Sequence, residues 1–233
     1  MCGRYTLASK VSDLRDLIDF HDDSLPDDFA ARFNIAPTQD VLILRQEKVH
    51  HRPMPVMVRW GLVPFWADDP KIGNRMINAR SETVVEKPAF RAALKYRRCL
   101  IPADGFYEWH RSVDSKTKTP YWIHRPDRKP FAIAGLWESW NKSGAGPLET
   151  CTILTTGPNA LMGLIHDRMP VILQQKDFDR WLSAPPDQAA SLAELLVPAP
   201  DDFLEAWPVS TKVNSPALDR PDLIDPIDES RLG

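Results

Sequence analysis

The sequence predicts an α+β fold: a strand-rich, twisted, mainly antiparallel sheet or barrel-like core with flanking short helices. Three observations carry this reading. Twenty-two prolines in 233 residues break long helices and favour short strands joined by turns. Apolar, β-branched or aromatic runs recur between Pro, Gly, Asp or Asn boundaries, as strands require. No strand–helix alternation of the βαβ kind links these runs, which disfavours the parallel α/β classes.

The elements follow in order. "SKVSDLRDLIDF" spaces Val11, Leu14, Leu17 and Ile18 along one helical face behind Ser9 as candidate N-cap. "VLILRQ" (41–46) and "MPVMVRWGLV" (54–63) read as strands, and "KPAFRAALKY" (87–96) as a helix. "RCLIPADGFYEWH" (98–110), "PYWIHR" (120–125), "FAIAGLWESW" (131–140), "TCTILTT" (150–156) and "PVILQ" (170–174) supply further strand runs. "KDFDRWLSA" and "DQAASLAELLV" then read as helices. The stretches 112–119 and 141–148 are expected to be flexible insertions. The acidic tail from about residue 219 is expected to lie over the surface, flexible in part. No linker divides the chain, so residues 1–233 are read as one domain.

Composition excludes several classes of function. No apolar run approaches the roughly 18 residues of a membrane span, and no secretory signal precedes the early cysteine, so a cytoplasmic protein is expected. Three cysteines, Cys2, Cys99 and Cys151, cannot all pair, which fits reduced thiols. Cys99 and Cys151 fall within strand patterns and are expected to be buried. The six histidines include no metal-ligand spacing, and His50 and His51 would face opposite sides of a strand. No metal and no cofactor are expected, and glycine loops for phosphate and the G-x-S-x-G motif are missing. The net charge is −3, but it is uneven. Residues 74–98 carry seven basic and two acidic side chains, whereas 201–233 carry eight acidic and three basic. Taken alone, such runs are most simply solvated faces.

The start "MCGRYT" has a chemical consequence if Met1 is removed, the usual fate of methionine before a small residue. Cys2 would then present an α-amine and a β-thiol on adjacent carbons. Such a 1,2-aminothiol condenses with aldehydes: the amine forms an imine, and the thiol closes on it to give a five-membered thiazolidine. Both nucleophiles are accessible near neutrality, with reference pKa values of about 7.7–8.0 and 8.5. Three further stretches place ionisable or polar groups among apolar neighbours: "MINARSET" with Asn78, Arg80 and Glu82, "GFYEW" with Glu108, and "HDRMP" with His166 and Arg168.

The order and spacing of "CGRY", "FNIAPTQ", "RWGLVPFWA", "INARSET", "RRCLIPADGFYEW", "TILTT", "HDRMPVIL" and "VSTKVNSP" resemble the SRAP family, the SOS-response-associated peptidases, over about residues 2–216. The resemblance implies a protein that recognises abasic sites in single-stranded DNA and shields them through covalent attachment of Cys2. It implies that Asn78 positions the Cys2 backbone and the opened sugar, that Glu108 shuttles protons, and that His166 assists ring opening and reversal. These residue types suit those tasks. Arg4 and Arg80 are the phosphate candidates and Trp66 and Trp109 the stacking or wedge candidates, with Asn34, Thr155 and Arg168 as further motif matches. The basic stretch 74–98 would join that surface, giving salt-sensitive binding. A monomer is expected. Two alternatives stay open: a cysteine autopeptidase that processes its own N-terminus, and a plain single-strand binder indifferent to the lesion.

Overall fold

The computed structural model describes residues 2–21, 25, 30–46, 52–111, 117–142, 144 and 146–227. Its elements are β1 (Tyr5–Leu7), α1 (Val11–Leu17), β2 (Arg32–Ile35), β3 (Asp40–Arg45), β4 (Met54–Trp60), β5 (Asn78–Arg80), α2 (Arg91–Tyr96), β6 (Arg98–Ala103), β7 (Gly105–His110), β8 (Thr119–His124), β9 (Phe131–Trp140), β10 (Leu148–Thr156), α3 (Ala160–Gly163), β11 (Met169–Pro170), β12 (Ile172–Leu173), α4 (Phe178–Ser183) and β13 (Glu205–Pro208). Short 3₁₀ turns lie between several of them. The fold is α+β, as expected from the sequence.

Five strands close a barrel in the order β10-β4-β3-β6-β9, because β9 pairs antiparallel with β10 and completes the ring. All its neighbours are antiparallel except β4 and β10. The barrel strands read as unbroken apolar runs because they are covered on both faces: all six residues of β6 are buried, and so are five of six in β3. Cys99 and Cys151 lie in this core, fully buried. Beyond the ring, β12 extends β9, while β5 and β11 attach to the C-terminal half of β10. A second, wholly antiparallel sheet runs β13-β8-β7-β1-β2.

The run 98–110 is two strands in two different sheets, split at Asp104. The Asp104 carboxylate accepts from the backbone N–H groups of Ala8 and Ser9 and from the Ser9 hydroxyl, which ties the corner to the end of β1. Ser9 is therefore engaged with Asp104, and Lys10 is the N-cap of α1. Gly105 is required at this corner, since a Cβ there would stand 2.7 Å from the Ile123 carbonyl and 2.5 Å from the Trp122 ring nitrogen.

Other expectations change in detail. "PVILQ" is two short strands, because Val171 leaves the ladder between them to bond Leu154 on one side and Ala134 on the other. "DQAASLAELLV" folds as a 3₁₀ helix, Pro186–Leu195, after a Pro-Pro entry. Its buried residues Ala189 and Leu192 are three apart, the repeat that three residues per turn brings onto one edge. The short strands β1, β2, β5 and β13 were not anticipated. Within the basic stretch, Arg97 pairs with Glu138 and Arg98 is buried, donating to five backbone carbonyls, so these two charges serve the core and not a DNA surface. Of the expected insertions, β8 begins at Thr119 and β10 at Leu148, whereas residues 112–116, 143 and 145 lie outside the described residues. So do His50 and His51. The tail docks as far as Ile227: Leu223 is fully buried against Tyr107, Trp122, Val209 and Val213, and Asp219 accepts from the Phe33 N–H. Residues 228–233 lie outside the described residues.

Candidate active site

The two sheets meet where the chain begins. Pairing of β1 with β7 continues one step past the strand, with the Tyr107 N–H donating to the Arg4 carbonyl at 2.9 Å. Continued, that register sets Gly3 opposite Glu108 and brings Cys2 close enough for the two side chains to interact. From the other side β5, held parallel to β10, presents Asn78 at its first residue. The Asn78 amide Nδ2 donates to the Cys2 carbonyl at 2.8 Å. Cys2, Asn78 and Glu108 come from separate parts of the sequence, and the meeting of the sheets brings them together. Met1 lies outside the described residues.

His166 follows α3, where its N–H donates to the Met162 carbonyl at 2.7 Å. Its Nε2 stands 3.8 Å from Glu108 Oε2. Glu108 is 3% exposed and Cys2 is fully buried. Burial pushes the Glu108 carboxyl above the usual range, against the pull of nearby positive charge and of His166. Burial, reinforced by the Glu108 charge, pushes the Cys2 thiol far up as well. The resting site thus favours a protonated thiol next to a carboxyl that keeps its proton to higher pH than a free one. A group with that character can act as acid and then as base.

Around this centre the structure shows how the other candidates are held. Arg4 Nη1 donates to Asn34 Oδ1 and to the Val213 carbonyl, both at 2.6 Å, and its guanidinium lies 5.9 Å from the Trp109 ring centre. Asn34 is fully buried and its Nδ2 donates to the carbonyls of Val213, Ser215 and Leu218. It locks the segment 213–218 against β2. Trp109 is half-buried and donates its indole N–H to Asn214 Oδ1 at 2.7 Å. Arg80 is exposed at the end of β5. Thr155 is buried, its hydroxyl donating to the Ala79 carbonyl at 3.5 Å. Arg168 forms a two-point pair with Glu82 and donates to the Thr155 carbonyl. Trp66 is exposed on the loop between β4 and β5, which is strapped by the Lys142 ammonium to the Trp66 carbonyl and Asp68.

Sequence reasoning passed over Phe65, which is 55% exposed beside Trp66. Its signal was present in "PFWA": two adjacent large aromatics in a loop cannot both turn inward easily. It also passed over Asp167, whose Oδ1 is 2.9 Å from His166 Nδ1. Among the described residues no group of three or more His, Cys, Asp or Glu could hold a metal ion, and no helix is long and apolar enough to cross a membrane.

Fold and site define a barrel-and-sheet protein whose near-terminal cysteine is enclosed with a carboxamide, a buried carboxyl and an imidazole. Residues 1–216 match the family described as SOS response associated peptidase (SRAP). The chain is 46% identical to the abasic site processing protein YoqW of Bacillus subtilis, over 97% of this chain and 99% of that one. It is 34% identical to the abasic site processing protein HMCES of Gallus gallus, over 73% of this chain and 57% of that one. A crystal structure of a Bacteroides thetaiotaomicron protein superposes with a TM-score of 0.83 at 26% identity, covering 97% of this chain and all of the other. The chain belongs to the SRAP family.

Proposed function

We propose that this protein captures abasic sites in single-stranded DNA as a covalent thiazolidine on Cys2, after removal of Met1. The observation that carries the reading is the Asn78 bond to the Cys2 carbonyl at 2.8 Å, made beside a buried Glu108 that lies 3.8 Å from His166. The names of the relatives support the choice of lesion.

The open form of an abasic deoxyribose carries an aldehyde. The Cys2 amine adds to that carbon to give a carbinolamine, and a protonated carboxyl at Glu108 supplies the proton with which hydroxide leaves as water. A protonated imine remains. The thiol sulfur then adds to its carbon, forming the C–S bond, while the thiol proton passes to the Glu108 carboxylate and restores the carboxyl. One water is lost overall, and no oxidant or reductant is needed. His166 would donate to the ring oxygen of the closed sugar as it opens and would take that proton back on reversal.

A raised thiol pKa gives the steps an order: the amine attacks first and the thiol closes second, once its proton has an acceptor. Arg4 and Arg80 would face phosphates, with Trp66 and Trp109 as stacking or wedge surfaces. Asn34 and Thr155 would shape the groove through the segments they hold, and Arg168 through its loop. The test is incubation of Met1-free protein with single-stranded DNA bearing one abasic site. A heat-stable adduct that disappears in Cys2→Ala is expected. An equally stable adduct in Cys2→Ala, or none with the intact protein, would sink the reading, and intact mass on the same samples reports self-processing of Met1.

A further inference from the structure

The imidazole of His166 has two competing neighbours at one nitrogen. The main-chain N–H of Arg168 donates to Nδ1 at 3.1 Å, and Asp167 Oδ1 stands 2.9 Å from the same atom. Nδ1 has one in-plane site, which holds either a lone pair or a proton. With a lone pair there it accepts from Arg168, and the neutral ring carries its proton on Nε2. With a proton there it serves Asp167, and the neutral ring presents a bare Nε2. The choice decides what faces Glu108, because Nε2 is the atom 3.8 Å from Glu108 Oε2.

What favours the Arg168 partner is how firmly that residue is placed. Its side chain is 13% exposed, and the guanidinium grips the Glu82 carboxylate at two points, with Nη2 to Oε2 at 2.9 Å. The same Nη2 donates to the Thr155 carbonyl at 2.7 Å, and that oxygen also accepts from the Ser81 N–H at 2.8 Å. Both arms of the clamp, the turn carrying Glu82 and the loop carrying His166, therefore meet on one carbonyl of β10. The hydrogen bond from Arg168 holds Glu82 below its usual carboxylate range, so the clamp stays charged across the neutral region. Asp167 is 86% exposed and has no comparable anchor in the described residues, so water competes for its carboxylate.

We propose that Glu82 is a positioning residue for His166: by clamping Arg168 it keeps the Arg168 N–H on Nδ1 and the ring proton on Nε2, facing Glu108. The consequence for chemistry rests on the crosslinking function proposed above, in which a proton on Nε2 opens the sugar ring. The tautomer itself does not depend on that function. It can be read in the DNA-free protein.

The experiment is nitrogen NMR of histidine-labelled, full-length protein at about pH 8, above the ordinary histidine range, with His166→Gln identifying the His166 signals. The native protein is expected to show the Nε2–H form, and Glu82→Gln to move a large fraction of His166 to Nδ1–H. With abasic single-stranded DNA, Glu82→Gln is expected to slow adduct formation about tenfold, less than the 10²–10⁴ typical of removing an acid–base group outright. Its non-covalent affinity should stay within about twofold, since a merely structural loss would reduce both together. Arg168→Lys, which keeps the charge but not the two-point grip, repeats the tautomer measurement if Glu82→Gln folds poorly. An Nδ1–H form in the native protein, or an unchanged tautomer in a folded Glu82 or Arg168 variant, overturns the proposal. Tighter DNA binding with faster adduct formation in Glu82→Gln would also overturn it, because Glu82 would then be only a competitor for Arg168. A tautomer shift in protein that never crosslinks DNA leaves the positioning role standing and removes the proposed function instead.

Discussion

Replacing Glu108 by Gln should stabilise the protein while abolishing its chemistry. Glu108 is 3% exposed, and its neighbour His166 sits 3.8 Å away with its own side chain 26% exposed, so this contact compensates burial only in part. Its carboxyl is raised above the usual range chiefly by burial. A group with a raised folded pKa contributes its full stability below the unfolded value and loses it as pH rises through the folded value. Each unit of such a shift is worth about 1.4 kcal/mol, and 1 kcal/mol moves the Tm of a domain this size by about 2–4 °C. Glu108→Gln keeps the shape without the charge. Calorimetry should therefore show a Tm gain of a few degrees at pH 8 that shrinks toward zero near pH 4, where the native side chain is already neutral. Adduct formation at pH 7 should fall by about 10²-fold or more. A lower Tm at pH 8, or a gain that is the same at both pH values, would refute the claim that burial of charge is the cost at this position.

Three further outcomes follow from the geometry. Asn34→Ala removes four hydrogen bonds and leaves the Arg4 guanidinium and three carbonyls short of a partner, so chemical denaturation should show a loss of about 3 kcal/mol, with hydrogen exchange rising at 213–218. Gly61→Ala places a Cβ 2.6 Å from the Gly73 carbonyl at a φ of +131°; a loss of about 3 kcal/mol is expected, together with slower adduct formation, because this contact sets the loop that delivers Asn78. Arg80→Ala should weaken DNA binding evenly across sequences and reduce the salt dependence of log K by about one phosphate's worth, an outcome that a titration at several salt concentrations reads directly.

The parts of the fold that were legible are those whose residues are buried on both faces. Strands β3, β6, β9 and β10 announce themselves because the barrel wall is covered inside and out, so local composition and global position agree. The short strands β1, β2, β5 and β13 did not, since three or four residues of mixed polarity hold no period. The corner at Asp104 was hidden for a different reason. Its cause is a set of bonds to Ala8 and Ser9, almost a hundred residues away. In the same way the charges of Arg97 and Arg98 looked like surface because their partners, Glu138 and the carbonyls near α4, lie far along the chain.

For the site, residue types were legible and their setting was not. A cysteine at position 2, a carboxamide, a carboxylate and an imidazole announce their chemistry in the sequence, but the full burial of Cys2 needs the meeting of two sheets, and the clamp on Arg168 needs β5 and β11 to be held side by side on β10. That setting leaves a mark. Among the described residues, the buried side-chain atoms without a hydrogen-bond partner include Arg4 Nε, Asn78 Oδ1 and Arg168 Nε at the site, as well as Arg97 Nε and the Thr152 hydroxyl elsewhere. Each such atom costs about 1–3 kcal/mol, and the same chain satisfies the buried Arg98 guanidinium with five carbonyls, so it is able to supply partners. At Arg4 and Arg168 the unpaired atoms are cationic donors, which suit anionic oxygens; at Asn78 it is an acceptor beside Cys2, which suits a hydroxyl or an amine. In the reaction proposed above, an opened deoxyribose within a phosphate chain, met by a Cys2 amine freed of Met1, would offer that combination. The proposed ligand would thus complete hydrogen bonding that folding leaves open, at positions where the stability forgone is recovered only on binding.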